Sequence, residues 1–121
     1  MELIRLPYAL TVCRVKTLPT WLDTEEFFFL GKTEEKLSLV CPTERVPAET
    51  EGREDGWRAF RIAGVLDFSL TGILAPIAEL LAEAKIGIFA VSTYNTDYVL
   101  VKEENFDRAM AILAGAGYTV Q

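Results

Sequence analysis

The pattern that most constrains this chain lies in its second half, where strand-like and helix-like periodicities follow one another in a fixed order. Residues 57–64 (WRAFRIAG) read as a strand with Phe60 and Ile62 on one face. Over residues 73–85, Ile73, Leu74, Ile77, Leu80, Leu81 and Ala84 recur at the three- and four-residue spacing of a helix face. Glu79 and Glu83 fall outside that stripe. Residues 86–93 (IGIFAVST) and 98–101 (YVLV) are β-rich, and the polar Tyr94, Asn95, Thr96 and Asp97 between them suit a tight hairpin. Phe106, Ala109, Met110 and Leu113 mark a second amphipathic helix, with Asn105 as its N-cap and Gly115 or Gly117 as its stop. Residues 118–120 supply a closing strand. The order strand, helix, strand, strand, helix, strand predicts an α+β, ferredoxin-like βαββαβ sandwich, an antiparallel sheet with both helices on one face. Its other face, carrying Trp57, Phe89 or Tyr98, needs a covering partner.

The first half offers one. Residues 8–15 (YALTVCRV), 27–30 (FFFL) and 37–41 (LSLVC) read as strands, the last two joined by the turn-like residues 31–36. Residues 18–22 could hold one helical turn. This is an abbreviated βαββ unit, although obvious self-similarity between the halves is absent. The polar residues 42–55, with five acidic side chains, two prolines and Gly52, read as a solvated loop. The expected division is therefore an N-terminal subdomain, 1–55, and a C-terminal domain, 56–121.

Composition excludes several functions. A net charge of -6 argues against nucleic acid and against an anionic membrane surface. No apolar run approaches the ~20 residues that span a bilayer, and residues 1–7 do not form a secretory signal, so the expected location is cytoplasmic. Cys13 and Cys41 lie in apolar stretches outside any C-x-x-C motif and are expected as buried thiols. There is no histidine, which removes the commonest general base, the commonest transition-metal ligand and every Ser-His or Cys-His pair. Catalysis would have to run on carboxylates, Lys or Tyr; no cofactor or metal is expected.

Residues 64–75 (GVLDFSLTGILA) running into the first helix, and 86–101 (IGIFAVSTYNTDYVLV) after it, together resemble the ACT domain. The likeness is to small bacterial ACT proteins related to the regulatory domains of aspartate kinase and to cytosolic arginine sensors. It covers residues 57–121 well. In the first half, residues 32–41 (KTEEKLSLVC) are similar to the family's Thr-x-x-Glu-Leu-Ser-x-Val-Cys segment, with Lys36 where the family usually has Glu.

The resemblance implies a ligand held between the loop of one ACT unit and a strand of its neighbour. The candidate residues are Asp67, Leu70, Thr71, Gly72, Ile73 and Leu74 around the first helix, and Thr93, Tyr94, Thr96 and Asp97 at the hairpin. Ser38, Leu39 and Val40 are the candidates on a neighbouring strand. The physical rationale is that N–H groups of Gly72, Ile73 and Leu74 at a helix start can receive an α-carboxylate. Asp67 or Asp97 can meet an α-ammonium. Each residue also has a purely structural reading: Gly72 as a turn, Thr71 as a helix cap, Asp97 as hairpin chemistry, Ser38 as a strand-pairing residue. The implied function is a regulatory, amino-acid-sensing module that works as a homodimer and is not an enzyme. The alternative is a ligand-free oligomerisation or protein-interaction module on the same fold.

Overall fold

The computed structural model describes residues 1–64 and 72–121. Along the chain run β1 (Glu2–Arg5), β2 (Leu10–Val15), β3 (Phe29–Lys32), β4 (Leu37–Pro42), a 3-10 turn (Thr43–Arg45), β5 (Gly52–Ile62), α1 (Leu74–Glu83), β6 (Phe89–Ser92), β7 (Asp97–Lys102), α2 (Glu103–Gly115) and β8 (Thr119–Val120). These form two compact units. One comprises Met1–Pro7 with Arg58–Gln121, the other Tyr8–Trp57.

In the C-terminal unit β6 pairs with β7 and β7 with β5, as the sandwich requires. The addition is β1. It pairs antiparallel with β5, Leu3 opposite Ile62, and parallel with β8, Leu3 opposite Val120, so it lies between them. Sequence reading missed this strand because four residues ending near Pro7 carry too little alternation to register. Phe60 and Ile62 from β5, Val99 and Val101 from β7, and Leu3 from β1 form one core with Ile77 and Leu81 of α1 and Phe106, Met110 and Leu113 of α2. Both helices therefore lie on one face, and each fully buried side chain contributes about 1.5–3 kcal/mol.

The helix ends explain themselves. Glu103 and Glu104 stand in the first turn of α2, where acidic side chains complement the positive end of the dipole. Asn105 is inside α2 rather than at its cap, because β7 runs directly into the helix through an extended Lys102. Gly117, at φ +105, ends α2: its N–H donates to the carbonyl of Ala114 and that of Tyr118 to Leu113. The same reversal ends α1, with Lys85 donating to Ala82 and Ile86 to Leu81, but here the left-handed residue is Lys85 at φ +60. A lysine there carries strain that glycine does not. Lys85→Gly should stabilise the protein by about 0.5–1 kcal/mol, seen as a rise of roughly 2–5 °C in Tm.

In the N-terminal unit the strand order is β3-β4-β2-β5. Its core holds Cys13, Val15, Leu39 and Cys41, backed by Trp21, Phe28 and Leu30. This unit has no α-helix among its described residues; the expected helical turn is a single turn at residues 20–24. There the N–H groups of Thr24 and Glu25 donate to the Trp21 carbonyl, and the Trp21 indole N–H donates to the Arg45 carbonyl at 2.8 Å. Arg45 is paired in turn with Glu25 at 2.8 Å.

β5 starts at Gly52, inside the stretch expected to be loop. Residues 52–55 are exposed and pair with β2 through their backbone, which leaves no apolar alternation to read. The register shifts between Leu10 and Val12, opposite Gly56, whose φ of +83 within β5 fits a β-bulge. The buried Thr11 hydroxyl fills the gap, donating to Asp55 at 2.7 Å and accepting from Thr43 at 2.9 Å.

The expected pair of buried thiols is present: Cys13 and Cys41 are both free and buried. Burial, and then the neighbouring Cys13, push the Cys41 thiol up to about 12; burial also raises Cys13. A raised thiol pKa means the folded state keeps a proton that the unfolded chain has lost. Stability is therefore undiminished below about pH 8.5 and falls as pH rises from there toward 12. Both thiols should resist alkylation at neutral pH until denaturant is added, as mass spectrometry of iodoacetamide-treated protein would report.

The halves also share a hairpin that the sequence concealed. β3 and β4 recur as β6 and β7, each sixty positions on, with the same pairing register. Over these hairpins only Phe29/Phe89 and Thr33/Thr93 are identical. The shared threonine sets the turn. Thr93 N–H donates to the Thr96 carbonyl at 2.9 Å while its hydroxyl accepts from Thr96 N–H at 3.3 Å. Thr33 does the same with Lys36 at 3.2 and 3.5 Å.

Candidate functional site

Connectivity assigns the C-terminal candidates to one end of their unit. In a βαββ order successive elements alternate in direction, so β5 and β6 run one way, α1 and β7 the other, and β6 meets β7 at the turn Thr93–Thr96. The α1 N-terminus and the β6–β7 turn therefore share the end at which β5 finishes. A buried bond fixes one of these neighbours: the Thr96 hydroxyl, 5 % exposed, donates to the Ile62 carbonyl at 2.8 Å.

On this turn Asp97 is half-buried and accepts a hydrogen bond from the Ser92 hydroxyl at 2.7 Å. A carboxylate has about four lone-pair sites, so it retains capacity for a further donor. Tyr94, at 78 % exposure, projects from the tip. Sequence reading did not foresee the Ser92–Asp97 and Thr96–Ile62 bonds; the signal was the density of hydroxyls in Ser92, Thr93 and Thr96 around one acid.

α1 begins with no side-chain cap among the described residues and without an acid in its first turn. Of its first four backbone positions Pro76 has no N–H, which leaves those of Ile73, Leu74 and Ala75 without intrahelical partners at the positive end of the dipole. Gly72 is exposed, with φ +71 and no atom of a described residue within 4 Å of where a Cβ would stand. The left-handed backbone favours glycine here. Of the remaining candidates, Asp67, Leu70 and Thr71 lie outside the described residues. Ser38, Leu39 and Val40 sit on β4 in the N-terminal unit. Leu39 and Val40 are buried, Ser38 is exposed, and β4 is laddered on both sides by β2 and β3.

No group of three His, Cys, Asp or Glu side chains that could hold a metal occurs among the described residues. No described helix is long and apolar enough to cross a membrane.

Comparison with known proteins decides the family. An ACT domain family model matches residues 52–115. The chain belongs to the ACT domain family. A second family model, for an N-terminal domain, matches residues 8–49. The chain is 34% identical over 94 residues to the human protein named cytosolic arginine sensor for mTORC1 subunit 1, an alignment covering 72% of this chain and 29% of that protein. This ACT chain thus spans under a third of the length of the curated relatives it matches. A crystal structure of an Agrobacterium tumefaciens protein, 30% identical, superposes with a TM-score of 0.89 over 99% of this chain and 91% of its own. Aspartate kinase from Clostridium acetobutylicum, described as an allosteric enzyme, shares the fold: TM-score 0.63 at 14% identity, over 88% of this chain and 32% of that one. The ACT family is regulatory, and the curated relatives of this chain include a protein named as an arginine sensor.

Proposed function

We propose that this ACT protein is an amino-acid-sensing regulatory domain, cytoplasmic and non-catalytic, that works as a homodimer with its ligand at an interface between ACT units of two copies. In this reading the sensing domain is the unit of residues 1–7 and 58–121, and residues 8–57 are the abbreviated unit. One feature carries the reading: the order of elements puts the start of α1, which has no side-chain cap among the described residues, and the Asp97 turn at one end of the C-terminal unit. A free amino acid is a zwitterion. Its carboxylate needs donors, which the N–H groups of Ile73, Leu74 and Ala75 supply, and its ammonium needs an acceptor, which Asp97 supplies. Sensing then follows from linkage: a ligand that favours one arrangement of two units changes the surface a partner meets. The named arginine sensor among the relatives supports a basic amino acid first.

The test is differential scanning fluorimetry with each proteinogenic amino acid at millimolar concentration. A ligand that binds only the folded state raises Tm in proportion to the logarithm of its concentration; at one hundred times Kd the gain is about 2.7 kcal/mol. The expected result is a selective rise for one or two amino acids. If no amino acid raises Tm while the protein remains oligomeric, the sensing reading fails and the ligand-free assembly module takes its place.

A further inference from the structure

The repeated hairpin of the N-terminal unit carries different chemistry at its turn. Where β6 and β7 end in the Ser92–Asp97 pair, β3 and β4 end in Lys32 opposite Leu37. Beside that turn opens a cavity of about 570 Å³, bordered by the segment that follows β2. This lies within the size range of small-molecule sites. Lys36 on its wall is held by Glu51 at 3.2 Å, so that charge is already met. Lys16 and Lys32 on the same cavity are exposed and form no ion pair with any described residue. The apolar part of the lining is Val15, 2 % exposed, with Leu37 and with Leu18, which is 55 % exposed. In a chain of net charge -6, two unmatched ammonium groups over apolar side chains reverse the local sign.

We propose that this cavity binds a small amphiphilic monocarboxylate, with its carboxylate between the Lys16 and Lys32 ammonium groups and its hydrocarbon against Val15, Leu18 and Leu37. Glu35 on the same wall repels a second carboxylate, which sets a monoacid apart from a diacid. Leu37 stands where the C-terminal hairpin has Asp97, so the Ser92–Asp97 pairing proposed to receive an α-ammonium is not repeated at this position. The site lies wholly within residues 8–57 and does not depend on the amino-acid reading.

The test is a two-dimensional amide NMR titration of the full chain with isovalerate, with acetate, inorganic phosphate and isobutylamine as comparison probes. The expected result is saturable binding of isovalerate in the millimolar range, with shifts confined to residues 16–18 and 32–37. Acetate, which lacks the hydrocarbon, should bind roughly tenfold more weakly, and isobutylamine should not bind. Both lysines are exposed, so the double variant K16E/K32E keeps the fold and should lose isovalerate affinity by at least about tenfold. Leu18→Ala should weaken it about threefold. Non-saturating shifts, equal responses to phosphate and isovalerate, or unchanged affinity in K16E/K32E would each overturn the proposal. Shifts clustered instead at residues 72–75 and 93–97 would overturn it too and place the carboxylate at the other unit.

Discussion

Phe106→Ala should destabilise the protein by about 3–5 kcal/mol, the range for truncating a buried aromatic side chain. Phe106 is 1 % exposed in the first turns of α2 and packs into the core shared with Phe60, Ile77 and Val101. Its ring also lies under the Arg58 guanidinium, 4.4 Å from the centroid, an attraction of about 0.5–2 kcal/mol. Alanine removes the ring volume, the helix-to-sheet contact and the cation's partner at one stroke. Small domains hold about 5–15 kcal/mol in all, so the variant should sit near the edge of folding at 37 °C. Urea unfolding followed by circular dichroism checks this: the midpoint should fall sharply with an unchanged slope. Phe106→Leu, which keeps most of the volume, should lose only about 1–1.5 kcal/mol. A loss below 1 kcal/mol in the alanine variant would mean that α2 does not pack on this face of the sheet.

The same physics decides what could be read in advance. The two helices and β6, β7 and β8 were legible because their core faces repeat at helical or strand periods, as at Ile77, Leu81, Val99 and Val101. β1 and the first half of β5 were not. β1 buries Leu3 but is too short for an apolar period to register, and residues 52–55 expose their side chains and pair through their backbone with neighbours far away in sequence. The repeat of the hairpins was hidden for a related reason. A threonine hydroxyl and a strand register specify each turn, which leaves the other positions free to drift from Ser92 and Asp97 to Lys32 and Leu37. Of the candidate site, the hairpin acid and the helix start were visible as residue types. The buried Thr96 bond that ties the hairpin to the end of β5, and the φ of Gly72, needed three dimensions. That φ also changes which experiment is informative: replacing Gly72 with valine strains the backbone whether or not a ligand binds there.

Asp97→Asn should cut affinity for the amino-acid ligand by roughly 10- to 150-fold, since a hydrogen bond to a charged group contributes about 1.5–3 kcal/mol. The substitution is nearly isosteric. Its amide oxygen can still accept from the Ser92 hydroxyl, so the turn keeps its shape and Tm without ligand should move little. What is lost is the negative charge facing the α-ammonium or a basic side chain. Thr96→Val supplies the contrast: it breaks the buried bond to the Ile62 carbonyl, leaves that acceptor unsatisfied, and should lower the ligand-free stability by about 1–3 kcal/mol. Titration calorimetry and thermal shift on the two variants separate an electrostatic role for residue 97 from a structural one. The decarboxylated amine of whichever amino acid binds completes the logic. It retains the group that Asp97 meets but has nothing to offer the N–H groups of Ile73, Leu74 and Ala75, so it should bind weakly to the native protein and be affected by Asp97→Asn in the same proportion. If the variant binds the amino acid as tightly as the native protein does, Asp97 is turn chemistry and the ammonium is recognised elsewhere.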